Sequence, residues 1–185
     1  MSKTTRASDP PVGFLYDENI LSTDEESELV RRIADLPLKE FEFHGYTGKR
    51  RVVSFGWHYD FGAFSLNRTD EMPEFLLPVR ACAASFAGLT PDAFPHVLIT
   101  EYSPGTPIGW HRDKAVFDEV VGISLVSACR FRFRRKTAGG WERYTLPLMP
   151  RSAYLLSGPA RTEWEHSIPA VEALRYSITF RSLRS

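Results

Sequence analysis

The segment IGWHRDK, Ile108 to Lys114, sets His111 and Asp113 two residues apart in an otherwise apolar stretch. On a β-strand, side chains at i and i+2 share a face, so the pair could present an imidazole and a carboxylate to one ion. On a helix the two would diverge by about 200°. Alone, such a pair is also the ordinary polar end of a strand, and a metal site needs a third ligand. His166 in TEWEHSIP is the candidate, because it lies late in a strand-rich region where a later strand can return beside the first. Two histidines and one carboxylate leave coordination positions open, the donor set of non-haem Fe(II) oxygen chemistry. Catalytic zinc uses the same donors, so the triad alone leaves the reaction open. His44 and His58 precede the strand-rich region, and His96 after Pro95 is read as structural.

A second constellation closes the chain. In RYSITFR, Arg175, Ser177, Thr179 and Arg181 fall on one face of a strand while Tyr176, Ile178 and Phe180 fall on the other. An edge strand with arginines in water would give the same pattern. The two arginines are about 20 Å apart along an extended strand, which suits the two ends of a small dicarboxylate. Guanidinium groups recognise carboxylates through paired hydrogen bonds, and lysine is a poorer substitute.

These groups need elements to position them. STDEESELVRRIADL has Ser22 three residues before Glu25, acids in the first turn, and Leu29, Val30, Ile33 and Leu36 at helical spacing before Pro37. This spacing predicts a capped amphipathic helix. A second helix is expected in MPEFLLPVRACAASFAGL, with Pro73 in its first turn, a kink at Pro78 and a cap at Gly88. From His96 onward, short β-rich runs follow one another at turn signals: HVLITEY, IGWHRD, VVGISLVSACRFRFRR, WERYTLPL, SAYLLS, EWEHSI and RYSITFRSL. The pattern predicts an α+β domain in which N-terminal helices pack against a C-terminal sandwich or barrel.

Composition sets the bounds. The chain of 185 residues suits one domain, and 43% hydrophobic with 25% charged residues is a globular balance. Lys plus Arg equals Asp plus Glu at 23 each, so global charge selects no partner and local charge must. The longest apolar runs, such as FLLPV, fall far short of a membrane helix, and MSKTTRASDPP lacks the apolar stretch of a signal peptide. The expectation is a cytoplasmic monomer with no membrane partner, a flexible tail over residues 1–12 and one domain over 13–185. Cys82 and Cys129 sit among small or apolar neighbours and are read as buried thiols.

With these residues in view, the chain resembles the AlkB family of Fe(II)- and 2-oxoglutarate-dependent dioxygenases over roughly Arg50 to Arg181. EYSPGTPIGWHRDK is similar to that family's tyrosine, Pro-Gly turn and His-x-Asp segment, WEHSIP to its distal histidine, and RYSITFR to its R-x5-R ending. The resemblance implies a double-stranded β-helix, or jelly-roll, core carrying a nucleotide-recognition lid. It implies His111, Asp113 and His166 as iron ligands, Tyr102 hydrogen bonded to the cosubstrate, and Arg175 paired with its distal carboxylate. Arg181 would lie nearer the metal end and count among the catalytic residues. Where the family has an asparagine and often an amide, this chain has Thr100 and Ser177, which would line the same cosubstrate. The implied reaction uses Fe(II), 2-oxoglutarate and O2, releases succinate and CO2, and hydroxylates an N-alkyl carbon, whose hemiaminal collapses to an aldehyde and a repaired base.

KRRVVSFGWHYDFGAF resembles the family's nucleotide-recognition region, an R-x4-[FY]-G signature ahead of base-stacking aromatics. Arg51, Phe55, Trp57 and Tyr59, with Lys114 beside the His-x-Asp segment, are the expected substrate contacts, since an extruded base needs an apolar slot and phosphate contacts. Phe61 and Phe64 extend the aromatic run, and Lys49 and Arg50 the basic one. CRFRFRRK alternates Phe131 and Phe133 with Arg130, Arg132 and Arg134, either a solvated face or a phosphate track. LLSGPARTEWEHSIP and VFDEVVGISL also resemble the branch that hydroxylates wobble uridine in tRNA. The leading expectation is dealkylation of N-alkylated DNA or RNA. The alternatives are tRNA base-side-chain hydroxylation and a catalytically silent nucleic-acid-binding barrel.

Overall fold

Capping chemistry fixes the first helix. In the computed structural model, which describes residues 9–43, 46–60 and 65–184, α1 spans Thr23–Ala34. The Ser22 hydroxyl accepts from the Glu25 N–H at 3.2 Å, and the Ser22 N–H donates to the Glu25 carboxylate at 2.8 Å. Leu29 and Ile33 bury the apolar stripe, each stabilising the fold by roughly 1.5–3 kcal/mol. The second helical region divides in two. A 3-10 turn over Glu74–Leu76 precedes α2 (Leu77–Ala87), and Pro78 stands in the first turn of α2, where no N–H is required. The expected kink at Pro78 is therefore a helix start, and Gly88, left-handed at φ 70°, ends it.

Two antiparallel sheets face each other in a jelly roll. The larger has seven strands in the order β1 (Phe14–Asp17), β11 (Ala153–Leu156), β8 (Phe117–Leu125), β13 (Arg175–Leu183), β6 (His96–Tyr102), β3 (Tyr46–Phe55) and β2 (Lys39–Phe43). The smaller runs β10 (Gly140–Leu148), β9 (Cys129–Thr137), β12 (Glu165–Ile168) and β7 (Ile108–His111). A two-stranded ribbon, β4 (Trp57–Asp60) with β5 (Ser65–Arg68), projects after β3. Gly56 makes that turn possible. Its φ is 77°, and a Cβ there would stand 1.9 Å from the Pro95 carbonyl oxygen.

Strand alternation sorts the side chains into two cores. Tyr176, Ile178 and Phe180 of β13 join Ile33, Leu76 and Phe94 on the helix side of the large sheet. Phe131, Phe133, Tyr154, Leu156 and Ile168 fill the space between the sheets. Arg175, Ser177 and Thr179 are buried on that inner face, a polar row in an apolar layer.

Further details differ from the sequence-based expectation. The expected tail 1–12 ends earlier, because the Val12 carbonyl accepts from the Ala160 N–H at 2.8 Å and Pro11 is buried; residues 1–8 lie outside the described residues. Strand β7 stops at His111, so Asp113 lies in the following loop. A five-residue helix, α3 (Gly158–Thr162), stands where Gly-Pro reads as a turn. Cys129 is buried as expected, Cys82 only half-buried, and both are free thiols. No described helix is long and apolar enough to cross a membrane.

Candidate metal and diacid site

His111 and His166 are direct partners across β7 and β12, so their side chains leave the same face of the small sheet, ring centroids 4.3 Å apart. Asp113 turns in from the loop, its Oδ2 standing 3.6 Å from His166 Nε2. Donor atoms of the three residues all lie within 4.8 Å of one another, a spacing that could hold one ion. Hydrogen bonding orients them. His111 Nδ1 donates to the Gly109 carbonyl at 2.9 Å, which leaves Nε2 with a free lone pair. Arg181 Nε donates to Asp113 Oδ1 at 2.8 Å, Nη2 is ion-paired with the same oxygen at 2.7 Å, and Oδ2 remains available. Arg161 of α3 fastens the loop beyond Asp113 by donating to the carbonyls of Lys114 and Phe117, the latter at 2.8 Å.

Electrostatics put all three groups in the state a cation requires. Burial alone would raise the Asp113 pKa, but Arg181, His166 and His111 outweigh it and hold the carboxyl well below the usual range. Burial, with His111 adding to it, pushes His166 down to about 3. Desolvation also lowers His111, against the pull of Asp113. At neutral pH the site is one carboxylate and two neutral imidazoles, the protonation state of a metal-binding set.

Beside the triad, the same cavity is lined by Thr100 and Tyr102 of β6 and by Arg175, Ser177 and Thr179 of β13. The strands are in register, with Arg175 opposite Tyr102 and Ser177 opposite Thr100. Arg175 is 1% exposed; its guanidinium stacks on the Tyr102 ring at 4.9 Å, and Nε donates to the Ser124 hydroxyl at 3.1 Å. Nη1 is buried with no hydrogen-bond partner. A buried cation with an idle donor calls for an anion from outside, and a carboxylate of a small diacid fits. Arg181, expected nearer the metal end, lines the same cavity and pairs there with Asp113.

The expected substrate contacts are dispersed by strand parity. Arg51 and Phe55, on the helix-facing side of β3, do not line the cavity. Arg51 donates to Glu101 at 3.0 Å and to the Leu38 carbonyl at 3.2 Å, and Phe55 is part of the helix-side core. Arg50, one residue earlier and on the opposite face, is the basic residue that lines the cavity, its guanidinium over the Phe41 ring at 4.4 Å. Alternation in KRRVVSF carries the signal: whichever arginine shares parity with Val52 and Ser54 faces inward. Trp57 lies in the ribbon, with the Arg68 guanidinium 5.6 Å from its ring. Lys114 is half-buried in the loop after Asp113. The side chain of Tyr59, together with Phe61 and Phe64, lies outside the described residues.

On β9, Phe131 and Phe133 enter the core while Arg130, Arg132 and Arg134 face outward. Arg134 lies 4.5 Å from the rings of both Trp110 and Trp141, and pairs with Glu165 at 2.5 Å. Tyr154 and Arg161 belong to the neighbourhood of the site and carry no motif signal; Arg161 sits in a segment that reads as a turn.

Comparison with known proteins agrees with this architecture. The family model described as 2OG-Fe(II) oxygenase superfamily matches residues 13–181. The human protein named DNA oxidative demethylase ALKBH2 is 35% identical over 178 residues, with 78% of this chain and 65% of that protein covered. The Arabidopsis thaliana protein named alkylated DNA repair protein ALKBH8 homolog is 28% identical, covering 74% of this chain and 47% of the relative. The mouse protein named tRNA (carboxymethyluridine(34)-5-O)-methyltransferase ALKBH8 is 27% identical, covering 85% and 24%. The chain thus spans less than two thirds of each of these relatives. Among solved structures, that of OsALKBH1 superposes with a TM-score of 0.72 at 16% identity over 95% of this chain and 98% of the other. A Pseudomonas putida prolyl-4-hydroxylase superposes at 0.63 with 13% identity over 94% of each chain. These likenesses show a double-stranded β-helix. The chain belongs to the 2OG-Fe(II) oxygenase superfamily and is similar to proteins that carry AlkB-family names, and its His111, Asp113 and His166 set could hold the Fe(II) in that superfamily's description.

Proposed function

We propose that the enzyme oxidatively dealkylates N-alkylated bases in nucleic acid, with His111, Asp113 and His166 holding the iron. The observation that carries this reading is one cavity that joins the triad to the buried Arg175 and to Arg50. Arg175 pairs with the distal carboxylate of 2-oxoglutarate, and Tyr102, Thr100 and Ser177 line its length. Arg181 acts through Asp113, keeping it ionised and oriented. Bound iron with its cosubstrate and O2 supplies oxidation of an unactivated C–H bond. The protein supplies dry walls, chiefly Phe131, Ile108 and Ile168. Arg50 offers a charge to a phosphate at the mouth, and Trp57 in the ribbon offers a ring to an extruded base. Of the outward arginines of β9, Arg130 is exposed and offers a charge to a polyanionic partner, whereas Arg134 is paired with Glu165.

Hydroxylation of a tRNA base side chain is the second reading, favoured by the relatives named ALKBH8. The test is product-resolved. Methylated oligonucleotide should yield aldehyde and unmodified base in step with succinate. A stable product one oxygen heavier on modified tRNA, without aldehyde, would replace the first reading with the second, and succinate release from neither substrate would remove both. Arg50→Ala should weaken oligonucleotide binding about fivefold to tenfold, whereas Arg51→Ala should leave it unchanged.

A further inference from the structure

One aromatic group of the cavity is used by neither the metal triad nor the arginine. Tyr154 stands on β11 directly opposite Gly122 of β8, and Gly122 in turn faces Thr179 of β13. The Tyr154 side chain lies flat across β8. A Cβ at Gly122 would meet its Cζ at 2.2 Å and its hydroxyl oxygen at 2.4 Å. Gly122 has ordinary strand backbone, so its missing side chain serves space and not conformation. From above, the Phe131 ring closes on Tyr154 with centroids 4.7 Å apart. The ring is thus held in one slot, between a strand that lacks a side chain and an aromatic from the opposite sheet.

That slot aims the phenol at the diacid. Tyr154 lines the cavity with Arg175, Ser177 and Thr179. The same cavity is lined by Asp113 and His166 of the triad, so the phenol shares one space with the metal site and the buried guanidinium. A phenol keeps its proton at neutral pH, so the group is a hydrogen-bond donor. A hydroxyl that borders the cavity, beside a buried arginine Nη1 without a partner, sets two donors on one small space.

We infer that the Tyr154 hydroxyl donates to the bound 2-oxoglutarate, and that Tyr154 seated on Gly122 sets the length of diacid the pocket accepts. Tyr154 is a contact and specificity residue for the cosubstrate, whatever the nucleic-acid substrate is. Gly122 is a positioning residue that acts through it.

The test is isothermal titration of 2-oxoglutarate, and of 2-oxoadipate with one more methylene, into protein loaded with Mn(II). Tyr154→Phe keeps the ring and removes the donor; it should raise the Kd for 2-oxoglutarate about tenfold, as expected for one hydrogen bond to a charged acceptor. Tyr154→Leu should shift the ratio of the two Kd values about tenfold towards 2-oxoadipate, by opening the slot. Gly122→Ala should weaken 2-oxoglutarate at least as much as Tyr154→Phe, and Gly122→Ala with Tyr154→Leu should behave as Tyr154→Leu alone. Mn(II) affinity and thermal melting, measured on each variant, separate loss of the contact from loss of the fold. A wild-type Kd in Tyr154→Phe overturns the contact, and an unchanged ratio in Tyr154→Leu overturns the length control. Wild-type protein that takes up Mn(II) without binding 2-oxoglutarate would overturn the whole placement of the diacid.

Discussion

Replacing Arg175 with methionine separates what this side chain does for the fold from what it does for the ligand. In the ligand-free protein the guanidinium is 1% exposed, with one hydrogen bond to Ser124, a stack on Tyr102 and an idle Nη1. The idle donor costs about 1–3 kcal/mol, and desolvating the charge costs several more. Against this, the Ser124 bond and the Tyr102 stack each contribute about 1–2 kcal/mol. Methionine keeps the length and the apolar stem. The balance for Arg175→Met is therefore a ligand-free stability unchanged or raised by up to about 3 kcal/mol, where truncating an ordinary large core side chain loses about 3–5. For a chain of this size each kcal/mol is worth about 2–4 °C in Tm. With 2-oxoglutarate at a hundredfold its Kd, wild type should gain about 2.7 kcal/mol and the variant nothing. Urea unfolding of both proteins, with and without 2-oxoglutarate and in the presence of Mn(II), reads all four values. A variant that loses more than about 2 kcal/mol without ligand would show that the guanidinium is already satisfied in the resting protein, and the argument from an idle donor would fail.

The remaining predictions concern the metal and the turn. Asp113→Ala should abolish Mn(II) binding by equilibrium dialysis and cost about 2–4 kcal/mol by stranding Arg181; adding Arg181→Met should restore stability but not the metal. His166 is held neutral by burial, its folded pKa near 3 against an ordinary 6.5, so its contribution to stability is complete above about pH 6.5 and is lost as pH falls towards 3. Metal-free Tm should decline over that range, and His166→Gln should flatten the decline. Gly56→Ala, with φ at 77° and the Pro95 oxygen 1.9 Å from the new Cβ, should lose at least about 2 kcal/mol in thermal unfolding.

Much of the site was legible because its signals are local. His111 and His166 needed only strand alternation and one returning strand, and the inward row from Arg175 to Arg181 followed from a period of two. Parity failed where the start of the strand was unknown: with two adjacent arginines, a shift of one residue exchanged Arg50 for Arg51 and sent Phe55 into the helix-side core. The contact between Arg181 and Asp113 was beyond reach for another reason. It depends on where a loop turns after β7, and no periodicity encodes that. Helix α1 was readable from its capping box, whereas α3 is too short to show a repeat.

The direct opposition of His111 and His166 has a consequence for the order in which the protein comes apart. Among the described residues, strand β7 is an edge strand of four residues that pairs with β12 alone, in an irregular register. An ion gripping one imidazole from each strand ties that edge to the sheet, as a clasp ties the last turn of a coil. Removing the metal should therefore free the amides of Trp110 and His111 to exchange with solvent first, while the central strands β8 and β13 stay protected. Loading with metal should bring these amides under the same cooperative opening as the rest of the barrel.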